Sequence, residues 1–130
     1  TLLKSLFAAA LLGAALYSCQ KDKHNDTPPV VTIESPTDSS VYAATDSIPI
    51  HVMVEHTDEL HTLSVKLTRA DADTVVYFNY EAHTHVNSYH YETKIAAPAV
   101  AENTQVVLSV EATDHNELST KKNVQFSVLK

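Results

Sequence analysis

The sequence is poor in the residue types on which several large classes of functional site depend. Its 130 residues contain one Cys, one Gly and no Trp. A single Cys excludes a disulfide framework and any zinc or iron–sulfur site built from several cysteines. The one glycine, Gly13, lies near the N-terminus, so the rest of the chain has no glycine-rich loop to cradle nucleotide phosphates.

Positive charge is also scarce. Nine Lys and Arg residues stand against 16 Asp and Glu residues, which gives a formal net charge of −7. Binding to nucleic acid depends on clustered Lys and Arg that neutralise phosphates. We therefore expect no nucleic-acid partner.

The N-terminal residues have the pattern of a secretory signal. A single Lys4 precedes an apolar run from Leu6 to Tyr17. This run is shorter than the roughly 20 apolar residues that a membrane span requires, and it suits the central region of a signal peptide. Residues 1–18 are therefore predicted to be a signal peptide.

The residues that end this run, Leu16-Tyr17-Ser18-Cys19, resemble the lipobox of bacterial lipoproteins. The resemblance implies cleavage before Cys19 and attachment of lipid to its sulfur and its new amino group. It also implies a lipid-anchored protein of the Gram-negative cell envelope, with the outer membrane as the expected location. Residues 19–29 are predicted to be the lipidated cysteine and a flexible tether, because 20–29 are polar and end in two prolines.

From residue 30 onward, apolar residues alternate with polar ones. Ile48, Ile50, Val52 and Val54, for example, fall on one parity of their segment. This period of two indicates strands with one buried face, and no long segment has helical periodicity. The predicted strands span residues 30–34, 47–55, 61–69, 74–81, 88–95, 104–112 and 121–129. Residues 30–130 are thus predicted to form an all-β, seven-strand antiparallel sandwich of the Ig-like or fibronectin-like class.

Three segments resemble the Ig-like modules of bacterial cell-envelope lipoproteins: residues 29–36 (PVVTIESP), 47–55 (SIPIHVMVE) and 110–119 (VEATDHNELS). The likeness extends to a family of small lipoproteins with one such domain and no assigned function. It implies the fold and the envelope location, and it implies no activity.

The histidines are distributed unevenly over this predicted fold. Because successive strands run in opposite directions, the second–third, fourth–fifth and sixth–seventh connections meet at one end of the sandwich. The candidate metal ligands on these connections are His56, His61, His83, His85 and His115. Neutral imidazole is a good ligand for zinc and copper, and the spacing of His83 and His85 lets extended backbone aim both rings to one side. Carboxylates from Asp58, Glu59, Glu81, Asp114 and Glu117 are expected nearby.

The parity of His61 matches that of buried Leu63, so its ring is predicted to point inward at the mouth of the sandwich. His90 falls on the solvent parity and is the weaker candidate. Without glycine, Asp and Asn are expected to supply any left-handed backbone conformation.

The favoured hypothesis is a lipid-anchored binding module that holds zinc or copper through these histidines. Two alternatives remain open: a contact with an envelope protein that switches as the histidines titrate, and adhesin-like binding of a glycan or protein. Tyr77, Tyr80, Tyr89 and Tyr91 offer aromatic surface for a glycan, although strand tyrosines more often pack in the core. We expect no enzyme, because no nucleophile motif is present and loop tips offer no deep pocket.

Overall fold

The computed structural model describes residues 26–130, which form eight strands. The strands are β1 (Val30–Ser35), β2 (Val41–Ala43), β3 (Ser47–Glu55), β4 (Leu60–Arg69), β5 (Ala72–His83), β6 (Ser88–Ala96), β7 (Thr104–Asp114) and β8 (Ser119–Leu129). In this part of the chain, no helix has the length and apolar character to cross a bilayer. The predicted signal peptide, Cys19 and residues 20–25 of the predicted tether lie outside the described residues.

The strands form two sheets. One has the order β1-β3-β6 and the other has the order β2-β8-β7-β4-β5. All pairs are antiparallel except β2 with β8. This confirms the predicted all-β, fibronectin-like sandwich with its seven strands. The eighth strand, β2, was not predicted because three residues are too few to display a period of two.

The core lies between the sheets and is built from buried apolar side chains of β1, β3, β4, β7 and β8, against which partly buried side chains of β5 and β6 pack. Ile48, Ile50, Val52 and Val54 on β3 are all at most 3% exposed. Val65 on β4 is paired with Val110 on the neighbouring strand β7 of the larger sheet, and both are fully buried. Fully burying an aliphatic side chain of this size stabilises the fold by about 1.5–3 kcal/mol. The alternation therefore sets which side chains remain available at the surface.

Three tyrosines close one side of the sandwich. β5 and β6 are the outermost strands of their sheets, and the short connection 84–87 joins them. Tyr80 stacks on Tyr91 with ring centroids 3.9 Å apart, and its hydroxyl is hydrogen-bonded to that of Tyr89. This hydrogen bond and burial raise the pKa of Tyr89 to about 12. Since these rings and Tyr77 pack against the core, they do not form an exposed aromatic platform.

One end of the sandwich carries the connections β3–β4, β5–β6 and β7–β8, as the alternation of strand directions predicts. We call this end the histidine pole, defined by residues 56–59, 84–87 and 115–118 with the adjoining strand ends. Backbone hydrogen bonds link the first two connections, from His56 N–H to the Asn87 carbonyl (2.8 Å) and from Leu60 N–H to the Val86 carbonyl (2.9 Å). The β3–β4 and β5–β6 connections are thus held together through their backbones.

Candidate metal centre

Four imidazole rings meet at the histidine pole, and they belong to His61, His83, His85 and His115. His83 Nε2 lies 3.2 Å from His85 Nε2, and His85 Nδ1 lies 3.0 Å from His115 Nε2. His115 Nδ1 lies in turn 2.8 Å from His61 Nδ1. Four of the five predicted ligands, separated by up to 54 residues in sequence, therefore form one cluster.

A β-bulge places His61 in the cluster. Leu60 on β4 pairs with Asp114 on β7, and Thr62 pairs with Thr113, so His61 is an extra residue without a partner on β7. A bulge of this kind re-aims a side chain and interrupts the alternation of faces. Leu60 takes the buried position, while the ring of His61 packs against those of exposed His83 and His115, with centroids 4.5 Å from each. The prediction that His61 points inward is therefore wrong.

His83 and His85 stand on the same side of an extended segment. The residue between them, Thr84, is buried, and its N–H donates to the carbonyl of His61 at 3.0 Å. Because side chains alternate along extended backbone, burying Thr84 turns both neighbouring rings outward. His83 is the last residue of β5, two residues beyond the predicted end of that strand, and only His85 lies in the connection.

His115 is placed by a compact turn between β7 and β8. The Oδ1 atom of buried Asp114 accepts hydrogen bonds from the N–H groups of Asn116 (2.8 Å) and Leu118 (2.9 Å). Glu117 has a φ of 65°, in the left-handed region. The other left-handed residue of the described chain is Ser39, with a φ of 63°. The expectation that Asp and Asn supply these conformations is therefore wrong, because here Asp114 fixes the turn through its side chain instead.

His56, the fifth predicted ligand, has a structural position next to the cluster. Its side chain is only 1% exposed, and its Nδ1 accepts the N–H of Asp58 at 3.0 Å. In a neutral ring, Nε2 then carries the proton and donates to the carbonyl of Thr27 at 2.8 Å. Both ring nitrogens are thus in use. The same Nε2 lies 3.4 Å from Asp114 Oδ2, a buried oxygen that accepts no hydrogen bond within residues 26–130.

Glu59 is the carboxylate that the structure adds to the site. Its Oε2 lies 3.8 Å from His85 Nδ1, and one ligand atom from each of Glu59, His85 and His115 lies within 4.8 Å of the others. The sequence offers Glu59 only as one of several nearby carboxylates. Its place depends on the path of the β3–β4 connection, which no periodic pattern describes.

The electrostatics of the pole favour cations. Residues 55–61, 83–88 and 113–119 contain acidic residues and no Lys or Arg. Desolvation at its half-buried position, followed by the neighbouring imidazoles of His115, His83 and His85, lowers the pKa of His61. The neutral form that a metal ion requires is therefore favoured.

The nitrogen separations suit a small ion. Tetrahedral zinc with bonds of about 2.0–2.1 Å holds its ligand nitrogens about 3.3 Å apart. The three neighbouring pairs lie 2.8–3.2 Å apart. Without an ion, neutral rings satisfy one another, each N–H donating to the bare nitrogen of the next ring. Among the described residues, Glu59, His85 and His115 already bring one ligand atom each within 4.8 Å of the others, and the rings of His61 and His83 would have to turn to join them.

A scan against protein-family models finds no match, and a search of curated proteins finds none either. Among solved structures, the chain is similar to the fibronectin(III)-like modules of Clostridium thermocellum CbhA. The sequence identity is 19%, the match covers 76% of this chain and 94% of that chain, and the TM-score is 0.47. The assignment to the fibronectin-like class rests on the strand order given above.

Proposed function

We propose that this protein is a lipid-anchored binding module of the bacterial cell envelope that captures zinc or copper at the histidine pole. The observation that carries the proposal is the contact chain of His61, His83, His85 and His115, whose neighbouring nitrogens lie 2.8–3.2 Å apart. The imidazoles come from β4, the end of β5, the β5–β6 connection and the β7–β8 turn. Neutral imidazole nitrogen is a good ligand for zinc and copper.

The donor set narrows the choice of ion. One ligand atom each from His85, His115 and Glu59 lies within 4.8 Å of the others, and the rings of His61 and His83 stand beside them. Imidazoles with a carboxylate match the preferences of zinc and of copper(II). Calcium and magnesium prefer sites made wholly of oxygen ligands. Copper(II) generally binds a given set of nitrogen ligands more tightly than zinc does. Because the donor set suits both ions, the experiment below uses both. No catalytic step is included, because the rings lie on an open rim that does not exclude water.

Calorimetric titration of residues 20–130 with zinc and with copper tests the proposal. Binding in the micromolar range or tighter is expected, and the double variant His83→Ala, His85→Ala should abolish it. The matched control is His90→Ala, which removes an exposed imidazole on β6 outside the contact chain. Absence of heat from both ions, or equal loss in the control, would contradict the proposal and favour a glycan- or protein-binding module.

The anchor is tested separately from the ion. Cys19, the only cysteine, follows the apolar run after one residue, Ser18, at the position where lipobox cysteines are modified. Cys19→Ala should release the protein from the membrane fraction, because acyl chains contribute about 0.8 kcal/mol per buried CH₂. Unchanged partitioning of the variant would contradict lipid attachment.

A further inference from the structure

We infer that the histidine pole is the end of the domain that faces the anchoring membrane, so that the cluster exchanges ions through the gap between the domain and the bilayer. The inference rests on the lipid anchor of the proposed function, and it does not depend on which ion binds.

The chain enters the domain at the histidine pole. Val30, the first residue of β1, pairs with Glu55, the last residue of β3. Just before it, the carbonyl of Thr27 accepts from His56 Nε2, and the carbonyl of Pro29 accepts from the hydroxyl of Thr120 at the start of β8. The segment that leads to the anchor is therefore fixed to the same end as the four imidazoles.

The length of chain before this point is short. Eight residue steps separate Cys19 from Thr27, and at about 3.5 Å per residue they span at most about 28 Å. The opposite end lies about 34 Å from the pole, because the 11 residues of β7 extend over about that length at about 3.4 Å per step. The pole that carries the histidines is thus held within about 28 Å of the anchor, whereas the opposite end can lie up to about 34 Å further away.

Charge determines how the pole meets the membrane. Its connections carry carboxylates, including Asp58, Glu59 and Glu117, and no Lys or Arg within residues 55–61, 83–88 and 113–119. An acidic surface does not adhere to anionic headgroups, whereas it attracts the cations that collect beside them within a Debye length of about 8–10 Å. The pole is therefore expected to stand off the lipid and to sample the adjacent cation-rich layer.

Energy transfer from protein to membrane tests this orientation on the full-length lipidated protein. The lipidated sulfur of Cys19 does not react with maleimide, so one added cysteine takes a donor dye selectively. Asn116→Cys places the dye at the histidine pole, and Ala101→Cys places it in the exposed β6–β7 connection at the other end. Each protein is reconstituted into vesicles with acceptor-labelled headgroups.

Transfer from position 116 should exceed transfer from position 101 by about twofold or more, given the additional ~34 Å. Equal transfer, or greater transfer from 101, in protein that co-sediments with vesicles would overturn the orientation and leave the anchor intact. If the lipidated protein fails to co-sediment, the anchor itself is wrong and the orientation falls with it. Zinc titration of residues 20–130 is unaffected by either result, so failure of ion binding is recognised independently.

Discussion

Zinc should raise the melting temperature of this protein, and His115→Ala should remove the effect. The four imidazoles come from β4, β5, the β5–β6 connection and the β7–β8 turn. Unfolding separates them, so the ion binds the folded state far more tightly than the unfolded chain. His115 is the decisive position because its two nitrogens contact both His61 (2.8 Å) and His85 (3.0 Å).

The size of the effect follows from mass action. At a free zinc concentration of 100 times Kd, binding adds about 2.7 kcal/mol to the free energy of unfolding. A domain of about 100 residues unfolds with an entropy of about 0.2 kcal/mol/K, so the melting temperature should rise by about 13 °C. In the absence of zinc, His115→Ala should change stability by only about 0.5 kcal/mol, since the side chain is exposed.

Circular dichroism melts with and without zinc measure both quantities, and the control is again His90→Ala. The native protein and the control should show the same zinc-dependent rise, and His115→Ala should show little. A rise of less than about 2 °C in the native protein at saturating zinc would refute the reasoning. So would a rise that survives in His115→Ala, because the ion would then be bound elsewhere.

Three further predictions concern the apo domain. Because the pKa of His61 is lowered, the folded state binds fewer protons than the unfolded chain as the pH falls. The free energy of unfolding, measured in urea, should therefore fall as the pH drops below about 7 through the ordinary histidine range. A rise in the free energy of unfolding over this range would contradict the prediction. In the same assay, Asp114→Ala should lower the free energy of unfolding by about 2–3 kcal/mol, because two backbone N–H groups lose the carboxylate that accepts from them. The control Asp58→Ala, at an exposed position, should lower it by less than about 0.5 kcal/mol. Equal losses in the two variants would refute the structural role of Asp114. Glu117→Gly should stabilise by about 1 kcal/mol through relief of the left-handed φ, and a decrease would show that the strain is offset elsewhere.

Most of the fold is predictable from the sequence because burial imposes a period of two on most of the long strands. The alternation of Ile48, Ile50, Val52 and Val54 predicts both the strand and its inner face, and all four are buried. The strand ends are less predictable. β5 extends to His83 and β7 extends to Asp114, because backbone pairing continues beyond the last apolar residue. β2 is held by its parallel pairing with β8, which leaves no local signal in three residues.

The site is predictable as a location and less so as a set of contacts. Strand direction alone predicts that the segments carrying His83, His85 and His115 share one end. It does not predict the bulge, which depends on Leu60 rather than His61 filling the core. Nor does it separate His56 from the others, since that ring is buried against the incoming chain and Asp114.

The positions of the four histidines are set by features of the fold that are present without a metal ion. The bulge directs His61, burial of Thr84 turns two rings outward, and the Asp114 turn holds His115. An entering ion would need to rotate three exposed rings and the half-buried ring of His61, and to replace their N–H···N contacts. Substitutions that disturb these supports should weaken zinc binding without touching a ligand atom. Histidines that were only solvated loop residues would not need the bulge, the buried Thr84 and the Asp114 turn to hold their positions.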